Sequence, residues 1–315
     1  MLKTIISGID SLSNDVEGQL LSISNIKYIK IENDQTLIDC LNNCDVFWFR
    51  LNHKLTKEIL EKVTCKYILC AVTGLDHIDI EFCKKNGITI VSLKGEKEFL
   101  KEVRATAEHT MGLMLSLIRK NKMAFLHTEK GEWNRYLFQG TELYKKKVGI
   151  LGMGRLGKIV AEYCAVFGME VFYYDILEQK DSSEFVKTSS IESLINKVDI
   201  LSIHLPYNKG THFLIDKTIF KHIESPIYII NTARGGLVNE TDLIHYLKCN
   251  KIQGYATDVL YGEPNINEHP LVELSKINKN VLITPHIAGN TYESIEKTEM
   301  FIVEKLKRIL KENRK

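Results

Sequence analysis

The chain has 315 residues, 44% hydrophobic and 26% charged, a composition typical of a globular protein with room for two domains. A net charge of +2, with lysine and arginine scattered along the chain, excludes a strongly electrostatic nucleic-acid binder. Seven dispersed cysteines without a C-x-x-C pair argue against a disulfide framework and against a metal site. The first ten residues carry too short an apolar run for a signal peptide, so we predict a cytoplasmic protein.

In the first third of the chain, apolar runs of strand length alternate with helical segments, which predicts a parallel sheet covered by helices. The predicted strands are Thr4–Ser7, Lys27–Ile31, Val46–Phe49, Tyr67–Ala71 and Thr89–Val91, and the predicted helices are Thr36–Leu41, Thr56–Val63 and Ile80–Asn86. Val72-Thr73-Gly74 follows the fourth strand, at the edge where open α/β sheets bind ligands. Its backbone N–H groups could hold a carboxylate, although an ordinary turn fits the sequence equally well.

The charged segment Ser92–Thr106 runs into an apolar helix that ends near Ile118. Apolar residues on nearly all sides of this helix predict burial, either against the rest of the chain or against a second subunit. The helix is far below the length needed to cross a membrane. We place the first hinge between two domains near Thr106.

A glycine-rich motif organises the second part of the chain. Gly152, Gly154 and Gly157 follow an apolar strand in G-x-G-x-x-G spacing, and a second strand ends at Asp175. The helix between the strands has an apolar stripe of Leu156, Ile159, Val160, Cys164 and Phe167. The glycines permit a tight turn, close approach of a pyrophosphate and helix–strand packing, and the helix N-terminus favours the anion. This context predicts a dinucleotide site; the alternative is a glycine turn of another α/β domain.

The charge around Asp175 predicts which dinucleotide binds. Asp175 stands 18 residues after Gly157, where a carboxylate can bind both ribose hydroxyls and repel a 2′-phosphate. The following residues, Ile176-Leu177-Glu178, provide no arginine that could accept such a phosphate. We therefore predict NAD as the cofactor.

After Asp175 the alternation of strands and helices resumes. The predicted helices are Ile191–Asn196 and Glu240–Cys249, and the predicted strands are Asp199–His204, Ile227–Asn231, Gly254–Asp258 and Val281–Thr284. Six strands from Val148 onward indicate a doubly wound dinucleotide-binding sheet. From Ala288 a long amphipathic helix is predicted to return to the first domain. The predicted fold class is α/β with two doubly wound parallel sheets: a Rossmann cofactor domain of residues 106–287 inserted into a flavodoxin-like substrate domain of residues 1–105 and 288–315.

Three polar side chains follow strand ends of the second sheet: Arg234, Glu263 and His286. Because the carboxyl ends of parallel strands line one crevice, we expect these residues to converge. An arginine fork can bind a carboxylate, a histidine can donate a proton near neutral pH, and a neighbouring carboxylate orients that histidine. This set beside a nicotinamide fits the interconversion of a carbonyl and an alcohol by hydride transfer. Taken singly, Arg234 could be a surface ion-pair residue and His286 a core histidine.

Over nearly its full length the chain resembles the D-isomer-specific 2-hydroxyacid dehydrogenase family. The matching motifs are TGLDHID at 73–79, AEHTMGLMLSLIR at 107–119, GMGRLG at 152–157 with Asp175, DILSIHLPYNKGTHFLI at 199–215, INTARGGLVNE at 230–240, ATDV at 256–259 with Gly262-Glu263-Pro264, and TPHIAG at 284–289. The resemblance implies an NAD-dependent enzyme acting on a small 2-keto or D-2-hydroxy acid. It also implies a homodimer with the helix of residues 106–118 in the interface.

The resemblance also implies roles for individual residues. Arg234 would bind the substrate carboxylate, His286 would be the acid/base, and Glu263 would pair with His286. The substrate would also contact backbone N–H groups of Val72, Thr73 and Gly74. The residues expected at the cofactor are Thr73, Gly152, Gly154, Arg155, Leu156, Gly157, Asp175, His204, Pro206, Thr211, Thr232, Ala233, Asp258 (at the nicotinamide carboxamide) and Gly289. No metal is expected. His77, His109 and His204 are otherwise interpreted as mainly structural.

The segment Ser92–Thr106 departs from the commonest family pattern, where a shorter link stands, and this leaves the substrate open. Formate oxidation is an alternative within the family, but it uses a glutamine at the position of Glu263. An NAD(H)-sensing binding protein, such as a corepressor, is an alternative of another class, for which the chain shows no basic segment.

Overall fold

The computed structural model describes residues 1–177 and 184–313, and the chain divides into two compact units. Residues 1–103 and the chain from 291 onward form the first unit, and residues 104–290 form the second. The chain therefore leaves the first unit once and returns to it with its last helix.

The first unit contains one parallel sheet in the order β2-β1-β3-β4-β5, the doubly wound order of flavodoxin-like folds. Its strands are β1 Leu2–Ile6, β2 Ser24–Tyr28, β3 Val46–Trp48, β4 Tyr67–Cys70 and β5 Thr89–Ser92. In the register of the sheet, Thr4 lies opposite Ile26 on one side and Val46 on the other. β3 and β4 are buried at every position because helices cover both faces.

The helices of the first unit are α1 Asn14–Leu21, α2 Asp34–Asn42, α3 Lys57–Leu60, α4 Ile80–Lys85, α5 Lys97–Leu100 and a C-terminal helix, Tyr292–Glu312. Ser13, Asn33 and Asp79 cap α1, α2 and α4 by accepting a backbone N–H three residues further on. The C-terminal helix and α1 bury their apolar residues together on one face of the sheet.

The unusual segment Ser92–Thr106 forms α5 and binds the C-terminal helix. Phe99 stacks on Phe301 with ring centroids 4.0 Å apart. The Lys305 ammonium donates to the Glu96 carboxylate at 2.6 Å and to the carbonyl oxygen of Ser92 at 2.9 Å. The segment therefore ties the last helix to the sheet of its own unit.

The second unit contains a parallel sheet in the order β12-β11-β10-β9-β6-β7-β8. Its strands are β6 Lys147–Leu151, β7 Glu170–Tyr174, β8 Val186–Lys187, β9 Ile200–Ile203, β10 Ile227–Asn231, β11 Ile252–Thr257 and β12 Val281–Ile283. Its helices are α6 Ala105–Ile118, α7 Asn121–Thr128, α8 Arg155–Val166, α9 Ile191–Lys197, α10 Lys217–Phe220, α11 Glu240–Lys248 and α12 Pro270–Ile277. The strand order reverses between β6 and β9, the switch point at which Rossmann folds bind dinucleotides.

The long apolar helix α6 is buried by its own unit. Eight of its fourteen residues are buried, and six of them belong to one core cluster with α8 and the central strands of the sheet. Of the two alternatives for this helix, burial against the rest of the chain is therefore what the structure shows. The next segment, residues 121–138, exposes five large apolar side chains: Phe125, Leu126, Trp133, Tyr136 and Leu137.

The predicted fold class of two doubly wound parallel-sheet domains is confirmed, and most element bounds lie within two residues of the prediction. The prediction was wrong at β2, which begins three residues earlier because Ser24 pairs with β1 through a 2.6 Å hydroxyl contact to Thr4. It also missed the helices α1, α5, α7, α10 and α12 and the exposed edge strand β8, so the second sheet has seven strands among the described residues rather than six. The last helix begins at Tyr292 rather than near Ala288, because Thr291 caps it. No helix in the described ranges has the length and apolar character to cross a membrane.

Candidate functional site

The glycine-rich loop joins β6 to α8 and forms an open cradle at the helix N-terminus. A Cβ at Gly157 would lie 2.0 Å from the carbonyl oxygen of Gly152, so α8 sits directly on the turn. Gly154 is the N-cap of this 12-residue helix, and, apart from its chain neighbours, no heavy atom of the described residues lies within 4 Å of the place where a Cβ would stand. The N-terminus of α8, with the positive end of its helix dipole, therefore lies at this open cradle, which fits a phosphate group.

Asp175 closes the cradle from the end of β7. Its carboxylate accepts the backbone N–H of Met153 and that of Leu177, each at 2.8 Å. Beside it lies a pocket of about 520 Å³ lined by Tyr174, Asp175, Ile176, Lys187, Thr188 and Ser189. The predicted neighbour Glu178 lies outside the described residues. A carboxylate fixed at this edge next to a glycine cradle fits the adenosine half of NAD, with the ribose on Asp175.

The other residues predicted at the cofactor in this unit also lie at the carboxyl edge of the sheet. Burial lowers the pKa of the His204 imidazole to about 4, and its Nε2 lies 2.8 Å from the Ser202 hydroxyl. The Thr211 hydroxyl donates to the carbonyl oxygen of Pro206 at 2.8 Å, which closes the loop after β9. The edge as a whole carries the glycine loop with Arg155 and Leu156, then Asp175, His204, Pro206, Thr211, Thr232, Ala233, Asp258 and Gly289.

Arg234 follows β10 and lies in a loop that touches the turn before Glu263. A Cβ at Gly235 would come within 2.2 Å of the backbone nitrogen of Tyr261, so only glycine permits this approach. One guanidinium nitrogen of Arg234 donates to the carbonyl oxygen of Ala233 at 2.8 Å. The structure therefore brings the backbones that carry Arg234 and Glu263 together, as their strand ends predicted.

His286 and Glu263 are directly hydrogen-bonded, with Nδ1 of the ring 2.6 Å from Oε1 of the carboxylate. Their side chains are 27% and 30% exposed, so the pair is accessible from one side. The second oxygen of Glu263 accepts the N–H of Leu260 at 3.1 Å, which fixes the carboxylate. Because Nδ1 is held by Glu263, Nε2 is the ring nitrogen that can exchange a proton with a substrate.

Asp258 anchors the loop that carries His286, a role that its sequence position did not reveal. The carboxylate is almost completely buried and accepts the Thr284 hydroxyl at 2.6 Å, the Ile287 N–H at 2.8 Å and the Ala288 N–H at 2.7 Å. Burial alone would raise the pKa of Asp258, but hydrogen bonds from His109, Thr284 and the two backbone groups lower it. The ionised carboxylate therefore holds residues 284–288 in place. Its predicted contact with the nicotinamide stays a prediction.

The turn that is predicted to bind the substrate, residues 72–74, belongs to the first unit. The Val72 N–H donates to the carbonyl oxygen of Cys70 at 2.8 Å, so it is already used within the turn. Thr73 and Gly74 are then the residues whose N–H groups suit a carboxylate better. Within the ranges 1–177 and 184–313 no group of three or more His, Cys, Asp or Glu side chains is arranged to hold a metal.

Together, the switch point, the glycine cradle and the edge with Arg234, Glu263 and His286 are the features of a dinucleotide-binding α/β protein with a hydrogen-bonded histidine–carboxylate pair. Comparison with known proteins specifies the class. Residues 111–288 match the model of the D-isomer specific 2-hydroxyacid dehydrogenase NAD-binding domain. The chain is 30% identical over 315 residues to D-3-phosphoglycerate dehydrogenase of Methanocaldococcus jannaschii, covering 99% of this chain and 58% of that protein.

Two further relatives are similar over most of both chains. Glyoxylate reductase of Thermofilum pendens is 32% identical over 88% of this chain and 81% of its own length. The crystal structure of D-lactate dehydrogenase from Aquifex aeolicus, complexed with NAD and lactic acid, matches with a TM-score of 0.84 and 28% identity, over 98% of this chain and 95% of that chain. The chain belongs to the D-isomer specific 2-hydroxyacid dehydrogenase family, and the predicted family and NAD cofactor are confirmed. The chain spans about half the length of three D-3-phosphoglycerate dehydrogenases that it matches, namely 58%, 54% and 47% of those proteins.

Proposed function

We propose that the chain is an NAD-dependent oxidoreductase that interconverts a small 2-keto acid and its D-2-hydroxy acid. The observation that carries this proposal is the 2.6 Å bond between His286 and Glu263, on the sheet edge that also carries Arg234 and the nucleotide cradle. A histidine held by a carboxylate beside a hydride donor is the arrangement that carbonyl reduction requires.

Each side chain has a distinct task in this proposal. The cofactor, when bound, supplies the hydride that reduces the carbonyl carbon. Arg234 binds the substrate carboxylate through its planar fork and so fixes the neighbouring carbonyl. Nε2 of protonated His286 donates the proton that the new hydroxyl requires, and Glu263 holds the ring through its hydrogen bond to Nδ1. In the oxidising direction neutral His286 accepts the same proton.

We assign the first unit to substrate binding, through the N–H groups of Thr73 and Gly74. The relatives' names, D-3-phosphoglycerate dehydrogenase, glyoxylate reductase and hydroxypyruvate reductase, support a small 2-oxygenated acid as the substrate class. Glu263 argues against formate oxidation, because that reaction moves no proton and has no use for the charged partner of His286.

The experiment that tests the proposal is NADH consumption with a panel of 2-keto acids, including sugar-derived and phosphorylated ones. Parent protein is compared with His286→Ala, which is expected to lose about 10²–10⁴-fold in kcat for the best substrate. NADH binding without turnover across the panel would contradict the proposal and favour an NAD(H)-sensing protein. Loss of NADH binding in His286→Ala would move His286 from acid/base to cofactor contact.

We also propose that two copies of the chain associate through the segment that follows α6. This segment exposes Phe125, Leu126, Trp133, Tyr136 and Leu137. Trp133 and Tyr136 are 91% and 77% exposed, and a cluster of such side chains is typical of a protein interface. Light scattering should show a dimer that Trp133→Ser with Tyr136→Ser converts to a monomer. Tyr292→Ser, a control at a 93% exposed residue of the other unit, should leave the dimer intact. A monomeric parent would refute the association.

The predicted cytoplasmic location remains part of the proposal. In the part of the chain that the structure describes, none of the seven cysteines forms a disulfide and six are buried, which fits a reducing compartment.

A further inference from the structure

The turn that presents Glu263 is a β-turn of residues Leu260 to Glu263. The Glu263 N–H donates to the carbonyl oxygen of Leu260 at 3.4 Å, and Gly262 has φ +92°, the conformation of the third turn position in type II turns. Tyr261 and Gly262 occupy the two central positions. The turn itself therefore provides no partner for the backbone N–H and C=O of Tyr261.

Two side chains from different helices supply those partners. Oε1 of Glu240, the first residue of α11, accepts the Tyr261 N–H at 3.0 Å. Nε2 of His269, the N-cap of α12, lies 3.2 Å from the Tyr261 carbonyl oxygen. The two side chains also bind each other, with Nε2 of His269 3.0 Å from Oε2 of Glu240. Both backbone groups of Tyr261, its N–H and its carbonyl oxygen, thereby have a side-chain partner.

The hydrogen bonds of the His269 ring fix its tautomer. Its Nδ1 accepts the Leu271 N–H at 3.3 Å in the first turn of α12, so the hydrogen lies on Nε2. The ring can then donate both to Glu240 and to the carbonyl oxygen of Tyr261. Any rotation of the His269 ring would therefore break the cap of α12 and the contacts with Glu240 and Tyr261 at the same time.

The position of Glu240 is energetically unfavourable for a charged side chain. Its side chain is 13% exposed and that of His269 is 9% exposed. Burial raises the pKa of the Glu240 carboxyl, and the negative charge of Glu263 raises it further. A carboxylate with no structural or functional task would be unfavourable here, since burying a charge costs stability unless its hydrogen bonds compensate.

We propose that Glu240 and His269 are a positioning pair for the proposed reaction, holding the Leu260–Glu263 turn so that the Glu263 carboxylate reaches Nδ1 of His286. The inference rests on the proposed function, because it assigns these residues to the acid/base pair. Neither side chain contacts His286, so both act through Glu263.

The first test is kinetic. Glu240→Ala removes both hydrogen bonds and should lower kcat by about 10- to 100-fold, the effect of a shift near 1 Å in a catalytic group. The Kd of NADH should stay within about twofold of the parent, because neither Glu240 nor His269 belongs to the residues proposed at the nucleotide. His269→Gln keeps a side-chain donor for the Tyr261 carbonyl and should recover activity relative to His269→Ala. Asp242→Ala, on the same helix but without contact to the turn, is the matched control with parent kcat.

A double-mutant cycle separates positioning from general stability. In a Glu263→Ala background, where nothing remains to be positioned, Glu240→Ala should lower kcat by less than about threefold. An equal loss in both backgrounds would overturn the inference, as would a loss explained by a smaller folded fraction. If Glu240→Ala does not fold, Glu240→Gln takes its place in the same cycle.

An activity-independent measurement keeps this inference distinct from the proposed function. The proton on Nδ1 of His286 should give a downfield proton NMR resonance that disappears in His286→Ala. Glu240→Ala should shift or broaden this resonance, whereas Asp242→Ala should leave it unchanged. Those changes in a protein that turns over no keto acid would retain the positioning pair and reject the dehydrogenase. An unchanged resonance and parent kcat in Glu240→Ala would reject the positioning pair alone.

Discussion

Two glycines of the glycine-rich loop should respond differently to replacement by alanine. Gly157→Ala should lower the stability of the protein, whereas Gly154→Ala should weaken NADH binding. In Gly157→Ala the new Cβ would lie 2.0 Å from the Gly152 carbonyl oxygen and 3.2 Å from Cγ2 of Ile150. The oxygen belongs to the backbone, so the helix must move by about 1 Å to restore contact distance. Overpacking of this kind costs roughly 3 kcal/mol. We therefore expect the midpoint of thermal unfolding to fall by about 6–12 °C.

Gly154→Ala is the matched variant. No heavy atom lies within 4 Å of the new Cβ, and φ of −72° suits alanine, so stability should stay within about 0.5 kcal/mol. The methyl group nevertheless stands where the pyrophosphate approaches, and NADH should bind at least about tenfold more weakly, which is about 1.4 kcal/mol. Thermal unfolding by circular dichroism and NADH titration by fluorescence measure the two quantities. Equal destabilisation by both substitutions, or parent-like NADH binding by Gly154→Ala, would refute the reasoning.

Four further substitutions test single residues of the site. Asp175→Ala should reduce the preference for NADH over NADPH in kcat/KM, mainly by weakening NADH binding; an unchanged ratio would show that Asp175 does not select the cofactor. Arg234→Lys should lower kcat/KM for keto acids by at least about tenfold while NADH affinity stays constant, because lysine lacks the planar fork; weaker NADH binding instead would point to a cofactor role. Glu263→Gln removes the charge that holds the His286 ring and should lower kcat for keto-acid reduction while NADH affinity stays constant, and parent kcat in this variant would show that Glu263 does not assist His286. Since burial lowers the pKa of His204 to about 4, the unfolded chain binds a proton below about pH 6.5 that the folded chain does not. The contribution of neutral His204 to the free energy of unfolding is therefore complete above that pH and is roughly 2 kcal/mol smaller at pH 5. Urea unfolding should show that His204→Gln loses less stability than the parent as the pH falls to 5. An equal loss in both proteins would count against a buried, neutral His204.

The sequence predicted those parts of the site that follow regular elements. Glycine spacing located the cradle, and the strand ends placed Arg234, Glu263 and His286 on one edge, because parallel strands deliver their following residues to the same side. The register of β2 was misplaced because its pairing with β1 depends on Ser24 and Thr4 rather than on an apolar run.

The supporting contacts could not be predicted in the same way. Glu240 and His269 come from two helices and contact each other and the backbone of Tyr261 only in the folded chain, which leaves no periodicity in the sequence. The role of His109 beside Asp258 depends likewise on how α6 packs against β12. Such side chain-to-backbone contacts depend on tertiary packing, and a single sequence does not encode them as a local pattern.

The most direct test of the central claim is hydride transfer itself. Reduction of a 2-keto acid with NADH that carries deuterium at both C4 positions should place one deuterium at C2 of the D-2-hydroxy acid for each NADH consumed. Chiral chromatography with mass spectrometry identifies both the label and the configuration of the product. An L-product, or NADH that binds without delivering its deuterium to any 2-keto acid tested, would contradict the proposed function.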